Sequence, residues 1–160
     1  MLVMLCMLVT GGAAVQAVDD ETAAGSIEVN VAPFAENTAL GICEVGSVIN
    51  GRYVLNNAFA GTEVDFSDIT EASLAQEAAV KLAEAAAERH EYNAAALDSE
   101  GKVLFKDLKV EDTLYVIFQL DNADIVKISP MLVTLPYKNL EGDSVSAPKL
   151  NAKYEDDRII

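Results

Sequence analysis

The sequence contains no tryptophan, a single histidine, two cysteines and no basic residue ahead of Arg52. Each scarcity removes a class of function. Cys6 lies in the leading apolar run that export would remove, which leaves one histidine and one cysteine, too few for the ligand sets that zinc sites use, so no metal is expected, and no cofactor motif is present. His90 ends an alanine-rich segment, where a cation near a helix C-terminus is its ordinary role. There is no Gly-rich phosphate loop and no G-x-S-x-G elbow, which removes the main markers of nucleotide binding and of α/β-hydrolase chemistry. Without tryptophan, the commonest platform for stacking a sugar ring is also missing.

Cations are scarce as well, with 11 Lys and Arg against 26 Asp and Glu and a formal charge of −15. Phosphate recognition relies on clustered Lys and Arg, so nucleic acid is not expected as a partner. The same sign argument disfavours an anionic membrane surface. Carboxylates are plentiful at Glu63, Asp65 and Asp68, at Asp121 and Asp124, and at Glu155, Asp156 and Asp157. Two of them could be posed as a glycosidase pair, yet solvated acidic loops account for them all. Asp121-Asn122-Ala123-Asp124 lacks the glycine and the terminal glutamate of an EF-hand loop. The chain therefore reads as a non-enzyme.

What is present is 51% hydrophobic, but 24 of those residues are alanine and aromatics make up only 6%, so the core must be aliphatic. A length of 160 residues suits one compact domain. Residues 1–9 form the apolar run MLVMLCMLV, and small residues follow up to Ala17. That layout predicts a secretory signal peptide over 1–17, cleaved after Ala17, although its positive n-region is missing. A membrane span would need about 20 apolar residues, roughly twice this run. After cleavage the protein would be extracellular, would keep its whole charge and would have no membrane segment. Cys43 would then stand alone, unable to form an internal disulfide, and its strand-like setting in Leu40–Val45 predicts a small buried hydrophobe.

An acidic leader, 18–25, precedes the alternating stretch Ser26–Val31, which places Ile27, Val29 and Val31 on the inner face of a strand. A second strand is expected over Leu40–Val45, and Asn50-Gly51 marks a hairpin into Arg52–Leu55. Thr70–His90 is rich in the best helix formers and free of Gly and Pro, with Thr70 as N-cap. Leu74, Ala78, Val80, Leu82 and Ala85 are its expected apolar stripe. Strand signals resume at Lys102–Phe105, Thr113–Leu120, Ile125–Ile128 and Met131–Leu135, and Val116 with Ile117 predict a strand covered on both faces. About seven short strands and one helix at about 70–90 predict a mostly β, Ig-like sandwich with a helical insertion over 26–148. Residues 149–160 are expected to be an acidic C-terminal tail.

The order and spacing of these segments resemble the N-terminal domain of sortase-assembled pilin subunits of Gram-positive bacteria. Ser26-Ile27-Glu28-Val29 is similar to their opening strand. Asp98-Ser99-Glu100-Gly101-Lys102-Val103-Leu104-Phe105-Lys106-Asp107-Leu108 follows their D-x-x-G-x-V-x-F-x-D-L pattern. Tyr115 falls where the next strand carries a tyrosine, and Pro130–Pro136 resembles their P-x-L-V-x-L-P segment. The resemblance implies a pilin-type sandwich in a secreted subunit of a covalent surface fibre, with a sortase and neighbouring subunits as partners. It further implies that the lysine of Pro148-Lys149 is the acceptor amine. Leu140 stands where the motif's tryptophan would be, and Ser144, Ser146 and Ala147 replace its Val, Val and Tyr. From the residues alone Lys149 is equally an ordinary exposed lysine, with Lys138 and Lys153 as nearby alternatives. There is no L-P-x-T-G sorting signal for a sortase to cleave. Separately, no lysine precedes Lys81 and Gln119 stands where the family's catalytic Glu is sometimes found, so no internal isopeptide bond is expected. The alternative function is a free-standing secreted domain whose acidic loops bind a host or cell-wall ligand in cell adhesion.

Overall fold

A computed structural model of the chain describes residues 24–31, 38–66, 72–120 and 126–156. The expected signal peptide with its cleavage at Ala17, nearly all of the leader, the N-cap at Thr70 and the Asp121–Asp124 loop lie outside the described residues.

Twelve strands are described: β1 (Gly25–Asn30), β2 (Ala39–Ile49), β3 (Arg52–Leu55), β4 (Asn93–Ala96), β5 (Lys102–Leu108), β6 (Thr113–Gln119), β7 (Val126–Ile128), β8 (Met131–Leu135), β9 (Tyr137–Lys138), β10 (Ser144–Val145), β11 (Lys149–Asn151) and β12 (Tyr154–Asp156). A short 3-10 helix, Asn57–Thr62, and the helix α1, Ala72–Arg89, lie between β3 and β4. Asn50 and Gly51 both take positive φ, 53° and 77°, which two-residue hairpins of matching twist require, and they bring Ile49 opposite Arg52.

The elements stack in three layers. In the middle lies a five-stranded antiparallel sheet in the order β3-β2-β6-β8, with β4 paired to β2 as well. Its core strand β6 pairs with β2 on one side and β8 on the other. Tyr115 and Ile117 face one side, with Leu40, Ile42, Val133 and Leu135, and meet Ile27, Val29, Val103 and Phe105 of the three-stranded sheet β11-β1-β5. Leu114, Val116 and Phe118 face the other side, with Cys43 and Val45, and meet Leu82, Ala83 and Ala86 of α1. This double burial is why residues 114–118 are apolar on both faces and not alternating. Each fully buried aliphatic side chain here stabilises the fold by roughly 1.5–3 kcal/mol. The architecture is the expected mostly β sandwich with one helical insertion.

Packing revises several boundaries. The buried stripe of α1 runs through Ala78, Ala79, Leu82, Ala83 and Ala86, while Val80 is 37% exposed. Positions 79, 82, 83 and 86 follow the helical repeat, and alanines allow close approach to the sheet, so the stripe is made largely of small residues. The strand β4, sequence NAAA, carries no strand signal of its own and forms because β2 offers it an edge, pairing Ala39 with Ala96 through Ile42 with Asn93. The expected leader ends early, since Gly25 already pairs with Leu108. The expected tail likewise begins inside the fold: Lys149–Asn151 pairs in parallel with β1, and Tyr154–Asp156 pairs with β7. Three-residue strands carry too little pattern to be seen in sequence; their partners' free edges select them.

Candidate linkage site on the edge strand

The segment that leads to Lys149 is fixed step by step to β1. Ser26 N–H donates to Ser146 O at 3.0 Å and Glu28 N–H to Pro148 O at 3.0 Å; beyond, Ala152 N–H donates to Asn30 O at 3.0 Å. The register places Lys149 beside Glu28, Leu150 beside Val29 and Asn151 beside Asn30. Leu150 packs against the core, so period-2 alternation turns Lys149 to the solvent face, where it is exposed. Asn30 Nδ2 donates to Asn151 Oδ1 at 3.2 Å on the same outer face. Strand β11 is an edge strand, leaving the amine open to an approaching partner.

The other two lysines sit differently. Lys138 lies in the two-residue strand β9, paired only with Ser144. Lys153 falls between β11 and β12, its carbonyl accepting from Ser129 N–H at 2.9 Å. Of the three, Lys149 has its backbone held in the longest ladder. A primary amine is a nucleophile that needs an activated acyl group delivered to it.

The D-x-x-G part of the resemblance is turn chemistry. Asp98 Oδ1 accepts from Glu100 N–H at 2.8 Å and Lys102 N–H at 3.0 Å, and Gly101, at φ 80°, closes the loop with its N–H on Asp98 O at 3.1 Å. These backbone donors favour the ionised carboxyl and lower the pKa of Asp98. The same device recurs at Asn139-Leu140-Glu141-Gly142-Asp143. Asn139 Oδ1 accepts from Glu141 N–H at 3.0 Å and Asp143 N–H at 2.9 Å, and Gly142 has φ 87°. That second N-x-x-G loop was legible in the sequence by analogy with the first. It leaves Leu140 fully exposed at its tip.

The remaining candidates are structural. Cys43 is buried and its thiol is pushed up to about 11, by burial first and then by the charges of Glu91 and Glu44, with Arg89 opposing. Tyr115 O–H donates to Lys109 O at 2.8 Å, which staples the β5–β6 connection to the core. Burial pushes its phenol up to about 12, with the hydrogen bond to the Lys109 backbone opposing and Glu44 adding. His90, at φ 55°, is the left-handed residue just past α1: its N–H donates to Ala87 O and that of Glu91 to Ala86 O, a Schellman ending. The Arg89 guanidinium lies 5.7 Å from the Phe59 ring centroid and ties the 3-10 helix to α1. An open groove of about 510 Å³ runs beside it, lined by Glu63, Glu84 and Glu88 together with Lys81 and Arg89.

The inward side chains of β1 are Ile27 and Val29, so this strand brings no amine into the core, and Gln119 Oε1 accepts from Ile128 N–H at 3.1 Å. Among the described residues no three metal-ligating side chains come together, and no helix is long and apolar enough to cross a membrane.

No protein-family model matches the sequence, and no curated protein matches it. Solved structures do. The full-length major pilin SpaD of Corynebacterium diphtheriae superposes with a TM-score of 0.51 at 14% identity, over 83% of this chain and 30% of that one. The T6 backbone pilin of Streptococcus pyogenes, described as a modular three-domain structure, gives 0.50 at 10% identity, over 82% of this chain and 28% of that one. The chain thus spans under a third of either pilin's length, consistent in size with one module. At such identities the likeness is one of fold: a β-sandwich with one helical insertion, the fold of a domain in Gram-positive pilin subunits.

Proposed function

We propose that this chain is a secreted, pilin-like structural module of a covalent cell-surface fibre, with Lys149 as the amine that a sortase joins to a neighbouring subunit. In this reading it is not an enzyme; the transferase supplies the catalysis, and the export signal over 1–17 delivers the chain to the outside. The observation that carries the site is the ladder from Ser26 to Ala152, which holds Lys149 on an exposed edge strand. Holding a nucleophile on rigid backbone limits the conformations it must lose on entering a partner's active site. Lys138 lacks such a ladder, and Lys153 follows it.

Incubation with a pilus-class sortase and a sorting-signal peptide tests the assignment. The expected product is a single peptide adduct on Lys149, lost in Lys149→Ala and retained in Lys138→Ala and Lys153→Ala. An adduct that survives Lys149→Ala would move the site, and unchanged mass in all four proteins would remove the sortase reading.

A further inference from the structure

Two of the large hydrophobic side chains left in solvent lie on opposite outer layers, and their surroundings are complementary. On the three-stranded sheet, Leu104 is 45% exposed. Lys102 and Lys106 flank it two positions away on the same face of β5, and Glu28 of β1 lies beside it in register. On α1, Val80 is 37% exposed, with exposed Glu77 and Glu84 three and four positions away and Lys81 next to it. One surface therefore reads Lys-Leu-Lys with a glutamate at its side. The other reads Glu-Val-Glu with a lysine at its side.

The dimensions agree as well as the signs. Four residues of strand separate Lys102 from Lys106 by about 13 Å. Seven residues of helix separate Glu77 from Glu84 by about 10.5 Å. The difference is well within the reach of lysine and glutamate side chains. Lys102 does contact Glu100 at 3.5 Å, but both are exposed, and such a pair is weak enough to exchange partners.

We propose that the outer face of β5, at one edge of the three-stranded sheet, docks on the outer face of α1 of a second copy of this chain, Leu104 against Val80 with the flanking charges paired. The partner follows from charge. A chain carrying −15 repels its own copies over most of their surfaces, and this is a place where one copy offers lysines to another's glutamates. Because the two faces are on opposite layers, the contact is heterologous: each copy keeps one face free after pairing, and copies add in a row. The patch is small, so free copies associate weakly; copies held side by side on neighbouring fibres would do so at a much higher effective concentration. Lys149 lies on the opposite edge strand, two strands from Leu104 at about 4.8 Å each, and stays outside the contact, so the proposal does not depend on it.

Sedimentation equilibrium of the intact protein at high concentration, with carbodiimide cross-linking of mixed light and heavy isotope-labelled copies, tests it. Wild type is expected to self-associate and to give intermolecular Lys102 or Lys106 links to Glu77 or Glu84. Lys102→Glu with Lys106→Glu, and separately Glu77→Lys with Glu84→Lys, should each weaken association about tenfold or more. An equimolar mixture of the two double variants should associate again, since each then offers what the other lacks. If a charge-swapped pair fails to fold by circular dichroism, Leu104→Gln and Val80→Gln at these exposed positions serve the same purpose and should each weaken association. A monomeric wild type, undiminished association in the variants, no recovery on mixing, or association only with an added polyanion would each overturn the proposal.

Discussion

Leu82→Ala set against Val80→Ala tests how the helix is seated. Both are aliphatic residues of α1 and both belong to a plausible stripe, yet Leu82 is 0% exposed and Val80 37%. Leu82 packs in a cluster with Val116, Leu114, Phe118 and Phe59. Its helix-borne neighbours there are Ala83 and Ala86, which have no long side chain to swing into a void. Leu→Ala in cores costs about 2–5 kcal/mol, more where the site cannot collapse, so the upper half of that range, about 3–5 kcal/mol, is expected. Alanine's better helix propensity returns only a few tenths. For Val80→Ala the lost burial is partial and the propensity gain is about 0.5 kcal/mol, so the net change should lie within about 0.5 kcal/mol of zero. Urea unfolding at low protein concentration, followed by far-UV circular dichroism with unchanged m-values, measures both. Equal losses for the two variants, or less than about 1 kcal/mol for Leu82→Ala, would refute the placement of the helix.

Other expectations follow from single observations. His90→Gly should raise stability by up to about 1 kcal/mol, because glycine occupies the left-handed Schellman position without the cost a Cβ imposes, and a thermal melt would show it. Tyr115 and Cys43 have pKa values raised from 10.0 to about 12 and from 9.0 to about 11. Their contribution is fully present below the unfolded values and is lost as pH rises through the folded ones, so urea midpoints should fall above about pH 9, and less so in Cys43→Ala. Intact mass of the purified chain should show no loss of ammonia, since β1 directs Ile27 and Val29 inward and offers no lysine for an internal isopeptide bond.

Much of this fold was legible in the sequence where a pattern was long enough to be unambiguous. Arg52–Leu55 and Met131–Leu135 have the bounds their turn and proline signals give, and the two-sided apolar run at Thr113–Gln119 is the core strand. The D-x-x-G pattern is visible because its aspartate and glycine each do a specific backbone task. The proposed linkage site was legible only as a lysine after a proline. Nothing in Ser146–Asn151 has the length or alternation of a strand, and its ladder exists because β1, far away in the chain, has a free edge.

By itself, then, the sequence determined what local chemistry can specify. It specified the aliphatic core, the alanine-rich helix and the Asn-Gly hairpin, and it carries one histidine, no tryptophan and few cations. Only the tertiary structure decided which residues of that helix face the sheet, whether NAAA becomes a strand, and that Lys149–Asn151 and Tyr154–Asp156 pair into the fold. The physical reason is common to all three. A short segment's own propensities amount to a few tenths of a kcal/mol per residue, whereas a paired edge or a buried side chain is worth about one or more, so the partner prevails.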